Sequence, residues 1–261
     1  MLRNLADLHG FHLAAQDGEI GKVRDVYFDD HTWTIRYLIV GAGSWLTGRD
    51  VLIAPRSLGQ VDSEAKTISV NLTQEQVRNS PPIETAQPIS RGYELQFHQY
   101  YGWDPYWMNA AGVPGLWAPF LPPSIPPNIP AETEPVEDGE RDPHLRSVEE
   151  VSGYGIHAQD GEIGHVTDFI IDDEAWRIRY MAVKSGVLMF GKIVLLSPEW
   201  IERISFDRKE VFVSLPQARI KEAPEYDPNG PITREFEHAL HRHYDRPVYW
   251  DHSRTTPSEP A

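Results

Sequence analysis

Cysteine is absent from this 261-residue chain, which excludes disulfides, thiolate zinc sites, iron–sulfur clusters and cysteine nucleophiles together. Positive charge is scarce: 24 Lys and Arg stand against 39 Asp and Glu, for a net charge of −15. Phosphate backbones are bound by clustered Lys and Arg, and no run here supplies them, so nucleic acid is not an expected partner. Long hydrophobic runs are lacking too. The most extended apolar stretch, Tyr180 to Ile201, is interrupted by Lys184, Gly186, Gly191, Lys192 and Pro198, whereas a spanning helix needs about 20 predominantly apolar residues. Direct membrane insertion is therefore not expected, and a membrane-bound complex is reached only through a partner. Met1 to Gly10 carries Arg3, Asp7 and His9 and lacks the apolar core of a signal peptide. The expected location is the cytoplasm.

What the chain does contain is itself, twice. QDGEIG at Gln16 to Gly21 returns at Gln159 to Gly164, an offset of 143. At the same offset Asp29 and Asp30 meet Asp172 and Asp173, Trp33 meets Trp176, and Ile35, Arg36 and Tyr37 meet Ile178, Arg179 and Tyr180. The correspondence runs without a gap to His98 on His241 and to Tyr106 and Trp107 on Tyr249 and Trp250. Duplication of a unit of roughly 95 residues is the economical reading.

Each copy begins with the periodicity of short strands. Asp17–Gly18 and Asp160–Gly161 suit tight hairpin turns, and Gly21 interrupts the next apolar run where a bulge or a close approach is expected. Trp33, Ile35, Tyr37 and Ile39 alternate with Thr34, Arg36 and Leu38, the pattern of a half-buried strand. Five or six short strands in about 70 residues predict a small closed or nearly closed barrel. Downstream the period changes: Ile89, Tyr93, Phe97 and Tyr100, like Ile232, Phe236, Leu240 and His243, define one helical face, with Ser90 and Thr233 as N-caps.

The predicted fold is mainly β: two small antiparallel barrels, each followed by a short amphipathic helix and an aromatic tail. The expected segments are 1–80 (first barrel), 81–107 (helix and tail), 108–150 (Pro-rich then acidic linker), 151–223 (second barrel), 224–250 (helix and tail) and 251–261 (disordered C-terminus). In the linker, Trp117, Phe120 and Leu121 are candidates for docking onto a barrel.

The run DGEIGKVRDVYFDD (Asp17 to Asp30), the strand WTIRYLIV (Trp33 to Val40), VLIAP (Val51 to Pro55) and ISVNL (Ile68 to Leu72) resemble a PRC-barrel domain. The second copy offers DGEIGHVTDFIIDD, WRIRYMAV, VLLSP and VFVSL, so the chain resembles bacterial proteins with two such copies. The resemblance implies a small, mostly antiparallel β-barrel that serves as an interaction module, as in the cytoplasmic part of the photosynthetic reaction-centre H subunit. The function it implies is a non-enzymatic scaffold or adaptor. An accessory protein of a membrane-bound photosynthetic or electron-transfer complex is the alternative.

No nucleophile, base and electrophile converge in the sequence, so neither an activity nor a cofactor is expected. The acidic pairs read as turn residues, because adjacent carboxylates in a strand point to opposite faces. His238, His241 and His243 invite a metal hypothesis, but their counterparts are Leu95, His98 and Tyr100 and only one position keeps histidine. Trp33 and Trp176 read as core, and Arg36 and Arg179 as outward-facing groups that pair with the turn aspartates. The aromatic tails carry more apolar area than water tolerates, since burying one such side chain is worth about 1.5–3 kcal/mol. Tyr101, Trp103, Tyr106 and Trp107, with Tyr244, Tyr249 and Trp250, therefore either cap their barrels or form a homodimer or partner-protein surface together with Arg36 and Arg179.

Overall fold

The computed structural model describes residues 1–83, 89–109, 144–186 and 191–251. The expected linker, apart from its two ends, and the last ten residues lie outside these, as do Trp117, Phe120 and Leu121. Among the described residues, strands dominate. The first half contains β1 (Leu2–Asn4), β2 (His12–Ala15), β3 (Gly18–Asp29), β4 (Thr34–Ala42), β5 (Asp50–Ile53), β6 (Leu58–Asp62) and β7 (Thr67–Val70), then helices α1 (Gln74–Arg78), α2 (Arg91–Tyr100) and α3 (Tyr106–Asn109). The second contains β8 (Leu145–Ser147), α4 (Val148–Val151), β9 (Gly155–Ala158), β10 (Gly161–Asp172), β11 (Arg177–Ser185), β12 (Lys192–Leu196), β13 (Ile201–Ser205), β14 (Glu210–Val213), α5 (Gln217–Glu222) and α6 (Arg234–Tyr244). The strand bounds repeat at the offset of 143, with β12 beginning one residue early.

These elements form two compact units whose limits differ from the expected segments. The first unit is Leu8–Ser147, and the second joins Met1–Asp7 to the chain from Val148 onward. The expected division placed residues 1–80 in one barrel and 108–150 in a linker. β1 leaves its own copy and pairs with β10, while β8, at the end of the supposed linker, pairs with β3. The reason is a ladder: strand edges carry unpaired N–H and C=O groups, and each leader strand satisfies the far end of a long strand that β2 or β9 leaves uncovered.

Within the first unit β2, β3, β4 and β5 pair antiparallel in succession. β7 lies parallel to β2 on its other side and antiparallel to β6. The second unit repeats this with β9 to β12, β14 parallel to β9, and β13 outermost. In neither unit do described pairings join the two ends, β5 to β6 or β12 to β13, so the paths are open where closed or nearly closed barrels were the expectation. Between each pair of ends the chain makes a 3-10 turn, Pro55–Ser57 or Pro198–Trp200, and proline has no N–H to extend a ladder.

Local chemistry accounts for the strand connections. Asp29 Oδ1 accepts the backbone N–H groups of His31 (3.0 Å) and Thr32 (2.8 Å), and Asp172 does the same for Glu174 and Ala175. The turns then close through Trp33 and Trp176 at φ 57° and 49°, a left-handed conformation that both tryptophans hold by being buried. Gly21 and Gly164 sit at the predicted bulges, where the register with β2 and β9 shifts. A Cβ there would run into the carbonyl oxygens of Gly41 and Lys184, so the crossing of β3 over β4, and of β10 over β11, requires glycine.

β4 is buried on both faces rather than half-buried. Tyr37 and Ile39 pack with Leu52, Ala54, Ile89, Phe97 and Leu145 in one cluster, while Leu38 and Val40 on the alternate face are fully buried as well. α2 covers the Tyr37–Ile39 face through Phe97, and Leu38, which the alternation turns outward, is fully buried on the other face as well.

Candidate functional site

The seam between β4 and α2, and its counterpart between β11 and α6, gathers the charged and aromatic groups that sequence reasoning scattered. Both helices are capped as predicted: the Ser90 hydroxyl accepts from the N–H of Tyr93, and that of Thr233 from Phe236. Their buried faces, however, are not the apolar stripes read from the sequence. On α2 the buried residues are Glu94, Phe97 and His98, and on α6 they are Glu237, Leu240, His241 and Tyr244.

A buried carboxylate needs donors, and the strand supplies one. The Tyr37 hydroxyl donates to Glu94 Oε1 at 2.9 Å and lies 3.0 Å from His98 Nε2. In the second unit Tyr180 does the same toward Glu237 (2.9 Å) and His241 (3.0 Å). A helix-borne arginine faces each carboxylate: Arg91 Nη1 is 3.5 Å from Glu94 Oε2, an ion-pair distance, and Arg234 Nη1 donates to Glu237 Oε2 at 2.9 Å. Glu94 is 0% and Glu237 1% exposed, so the carboxylates are closed to solvent, while the arginines reach it, and the clusters act as clamps that fasten helix to strand.

Burial sets the protonation states. It is the largest cause that pushes the Tyr37 and Tyr180 phenols well above their ordinary value, with the neighbouring Glu94 or Glu237 charge adding to it. Burial likewise lowers His98 to about 4, helped by the Arg56 and Arg36 charges, and lowers His241 against the opposing influence of Pro247 and Glu237. His241 Nδ1 lies 2.7 Å from the Pro247 carbonyl, an acceptor only, so Nδ1 carries the proton. A neutral His241 then presents a bare Nε2, and Glu237 and His241 share the single Tyr180 hydroxyl proton.

The aromatic tails fold back onto these clamps, each within its own unit. The Tyr106 hydroxyl donates to Glu94 Oε1 at 3.0 Å, and Arg234 donates to the Tyr249 hydroxyl at 3.2 Å. Arg36 places its guanidinium 3.6 Å from the Tyr106 ring centroid and Arg179 sits 4.2 Å from that of Tyr249. Both donate to the turn carboxylates, Arg36 to Asp29 at 2.9 Å and Arg179 to Asp172 at 3.0 Å. The expected pairing is present, but the arginines do not face outward: with side chains 17% exposed they are packed between an aspartate and a tyrosine ring. Neither aspartate is a freely solvated turn residue, and Arg36 with Arg179 brace the tails.

Tyr101 stacks on Trp103 at 4.6 Å and 18°, and Tyr244 is buried against Trp200. The half-buried edge of each tail is formed by Tyr106 with Trp107 and by Tyr249 with Trp250. Arg91 lies over Trp107 at 4.3 Å and Arg234 over Trp250 at 4.2 Å. The three histidines of α6 part company: His241 joins the clamp, His243 Nε2 faces the Arg219 carbonyl at 2.7 Å, and His238 packs edge-on to Trp250. Among the described residues no group of three His, Asp or Glu is arranged to hold a metal ion, and no helix is long and apolar enough to cross a membrane.

Sequence reasoning missed Glu94 and Glu237 and the leader strands. Both were in reach through the repeat, because Glu94 meets Glu237, and Leu2–Arg3 meets Leu145–Arg146, at the offset of 143. Charged residues on a helix read as a solvent face until a strand tyrosine is known to meet them.

The first unit thus defines a class: a mainly β module in which the described residues form five short strands and two long ones, β3 and β4, covered by a capped helix. Residues 4–77 match the PRC-barrel domain family. The matched span begins inside the leader segment and ends in α1. No curated protein matches the chain.

Proposed function

We propose that this protein is a non-enzymatic interaction scaffold made of two PRC-type modules, the second built on the same plan as the one that matches the family, and that it works in the cytoplasm. PRC-barrel domains serve in general as protein-interaction modules, and fold alone does not name a partner. The observation that carries the reading is the Arg–Tyr–Trp edge built twice: Arg91, Tyr106 and Trp107, and Arg234, Tyr249 and Trp250, hold one geometry from residues 143 apart. Tryptophan, tyrosine and arginine are the residue types that dominate binding energy at protein interfaces. Here they are pre-ordered by the clamps beneath, so docking costs little side-chain entropy. Two such edges on one chain gain avidity for a partner that presents two sites.

The test is affinity capture of partners from native lysate with membranes retained, comparing the intact chain with Trp107→Ala plus Trp250→Ala. A specific partner lost with the double variant while its circular dichroism stays native supports the edges as the binding surface, and single variants then retain intermediate capture. An unchanged partner set defeats this assignment and moves attention to the open strand faces.

A further inference from the structure

The two leader strands are exchanged reciprocally. β1 pairs with the end of β10 through Leu2↔Asp172, Arg3↔Ile171 and Asn4↔Ile170. β8 pairs with the end of β3 through Leu145↔Asp29, Arg146↔Phe28 and Ser147↔Tyr27, every residue displaced by 143. The ladders continue alike, with the N–H of Asp173 donating to the Met1 carbonyl at 3.1 Å and that of Asp30 to the His144 carbonyl at 2.8 Å. The side chains agree too. Arg3 Nε donates to Asp173 Oδ2 at 2.8 Å and Arg146 Nε to Asp30 Oδ2 at 3.2 Å, each aspartate side chain being only 11% exposed. Leu145 is buried in the cluster around Tyr37 and Phe97.

A leader from copy one completes a strand of copy two, and the reverse, which is the self-complementarity that an exchange of identical elements between two chains requires. The acceptor reads a hydrogen-bonding strand, a leucine and an arginine, which are the features that set affinity and specificity in strand addition. Nothing in that recognition distinguishes a leader on the same chain from one on another.

We propose that Tyr27–Asp30 and Ile170–Asp173 are strand-acceptor sites for the Leu-Arg leader of a second copy of this chain, so that two chains can join as a reciprocally strand-exchanged dimer. This goes beyond the scaffold reading and stands without it. The charge arrangement favours this occupant over an arbitrary apolar strand, because each acceptor holds a partly buried aspartate that the leader meets with its arginine and with the group two residues before it, the Met1 ammonium at Asp173 (2.6 Å) and the His144 ring at Asp30 (2.9 Å).

The chain has no cysteine, so a disulfide can report the pairing cleanly. Asn4→Cys and Ile170→Cys are placed on two differently sized full-length fusions, which are unfolded together, refolded at rising concentration and oxidised. The pair Ser147→Cys and Tyr27→Cys reports the other acceptor and serves if a cysteine at the buried position 170 impairs folding. The expected result is an interchain disulfide whose yield grows with concentration, falls several-fold when the donor chain carries Arg3→Glu, and recovers when the acceptor also carries Asp173→Arg. Overturning results are an interchain yield at background for both pairs while the same cysteines on one chain crosslink within it, or an interchain yield indifferent to the Arg3→Glu exchange.

Discussion

The two units solve the same packing problem from opposite sides. In the first, the space beside Tyr101 is filled by Trp103 from the tail, with Arg56 lying 4.8 Å from its ring. In the second, the residue at the Trp103 position is Arg246 and the one at the Ser57 position is Trp200, which packs on Tyr244 at 4.6 Å. One indole is conserved in place and not in sequence position: it comes from the tail in one unit and from the 3-10 turn in the other. A close-packed interior specifies volume more tightly than it specifies which element supplies it. The turn tryptophan is the better buried of the two, at 2% exposure, and the second clamp has the shorter Arg–Glu contact.

The comparison breaks first at the clamps. Glu237→Ala removes the buried carboxylate that Tyr180 and Arg234 share, leaving the hydroxyl to His241 alone, and is expected to cost about 4 kcal/mol, and Glu94→Ala about 3, because buried hydrogen bonds are lost and the space the side chain filled is left empty. Urea unfolding followed by near-ultraviolet circular dichroism checks the order; a larger cost at Glu94 would contradict the geometric ranking. Next come the indoles. Trp200→Ala is expected to cost about 3–5 kcal/mol, as for a fully buried tryptophan, and Trp103→Ala roughly 2 kcal/mol, since its ring is partly exposed. If the two sites are truly interchangeable, Ser57→Trp combined with Trp103→Arg destabilises the first unit less than the two single changes sum to, a coupling that a double-mutant cycle measures.

The pH dependence separates the units further. His98 is held at about 4, below its ordinary value, chiefly by burial, so the folded first unit binds fewer protons than the unfolded chain between about 4 and the ordinary value of about 6.5. Its contribution is therefore complete at neutral pH and is lost as pH falls through that window; His98→Gln should flatten this part of the stability profile. Asp168 works the other way. At the equivalent place in the first unit, Asp25 receives the Ser147 hydroxyl at 2.6 Å. The residue matching Ser147 is Asn4, which instead donates to the Pro228 carbonyl and accepts from Tyr226. Asp168 accepts backbone N–H groups from Ala6 and Phe169, and burial first, with the Asp7 charge, raises it to about 6. The folded second unit thus holds this proton more tightly than the unfolded chain, and the resulting stabilisation, full below about 4, is lost as pH rises through 6. Asp168→Asn is expected to stabilise the second unit at pH 7 by about 1 kcal/mol, the smallest effect here, read as a rise in Tm; a fall in Tm would show that its hydrogen bonds outweigh its charge.

The sequence by itself determined the recurrence of its motifs at an offset of 143, the strand and helix periods, both N-caps, the glycines at the bulges and the burial of the turn tryptophans. Each of these is local, set by the φ and ψ preferences of a few residues or by side-chain period. Tertiary structure alone decided three things. Glu94 and Glu237 are buried because Tyr37 and Tyr180, 57 residues earlier, offer hydroxyls to them; no helical pattern carries that information. Arg36 and Arg179 turn inward because the returning tails provide rings to cover them. The leader strands cross between copies because a three-residue strand has almost no preference of its own, and goes where an unpaired backbone edge, a leucine site and a buried aspartate coincide.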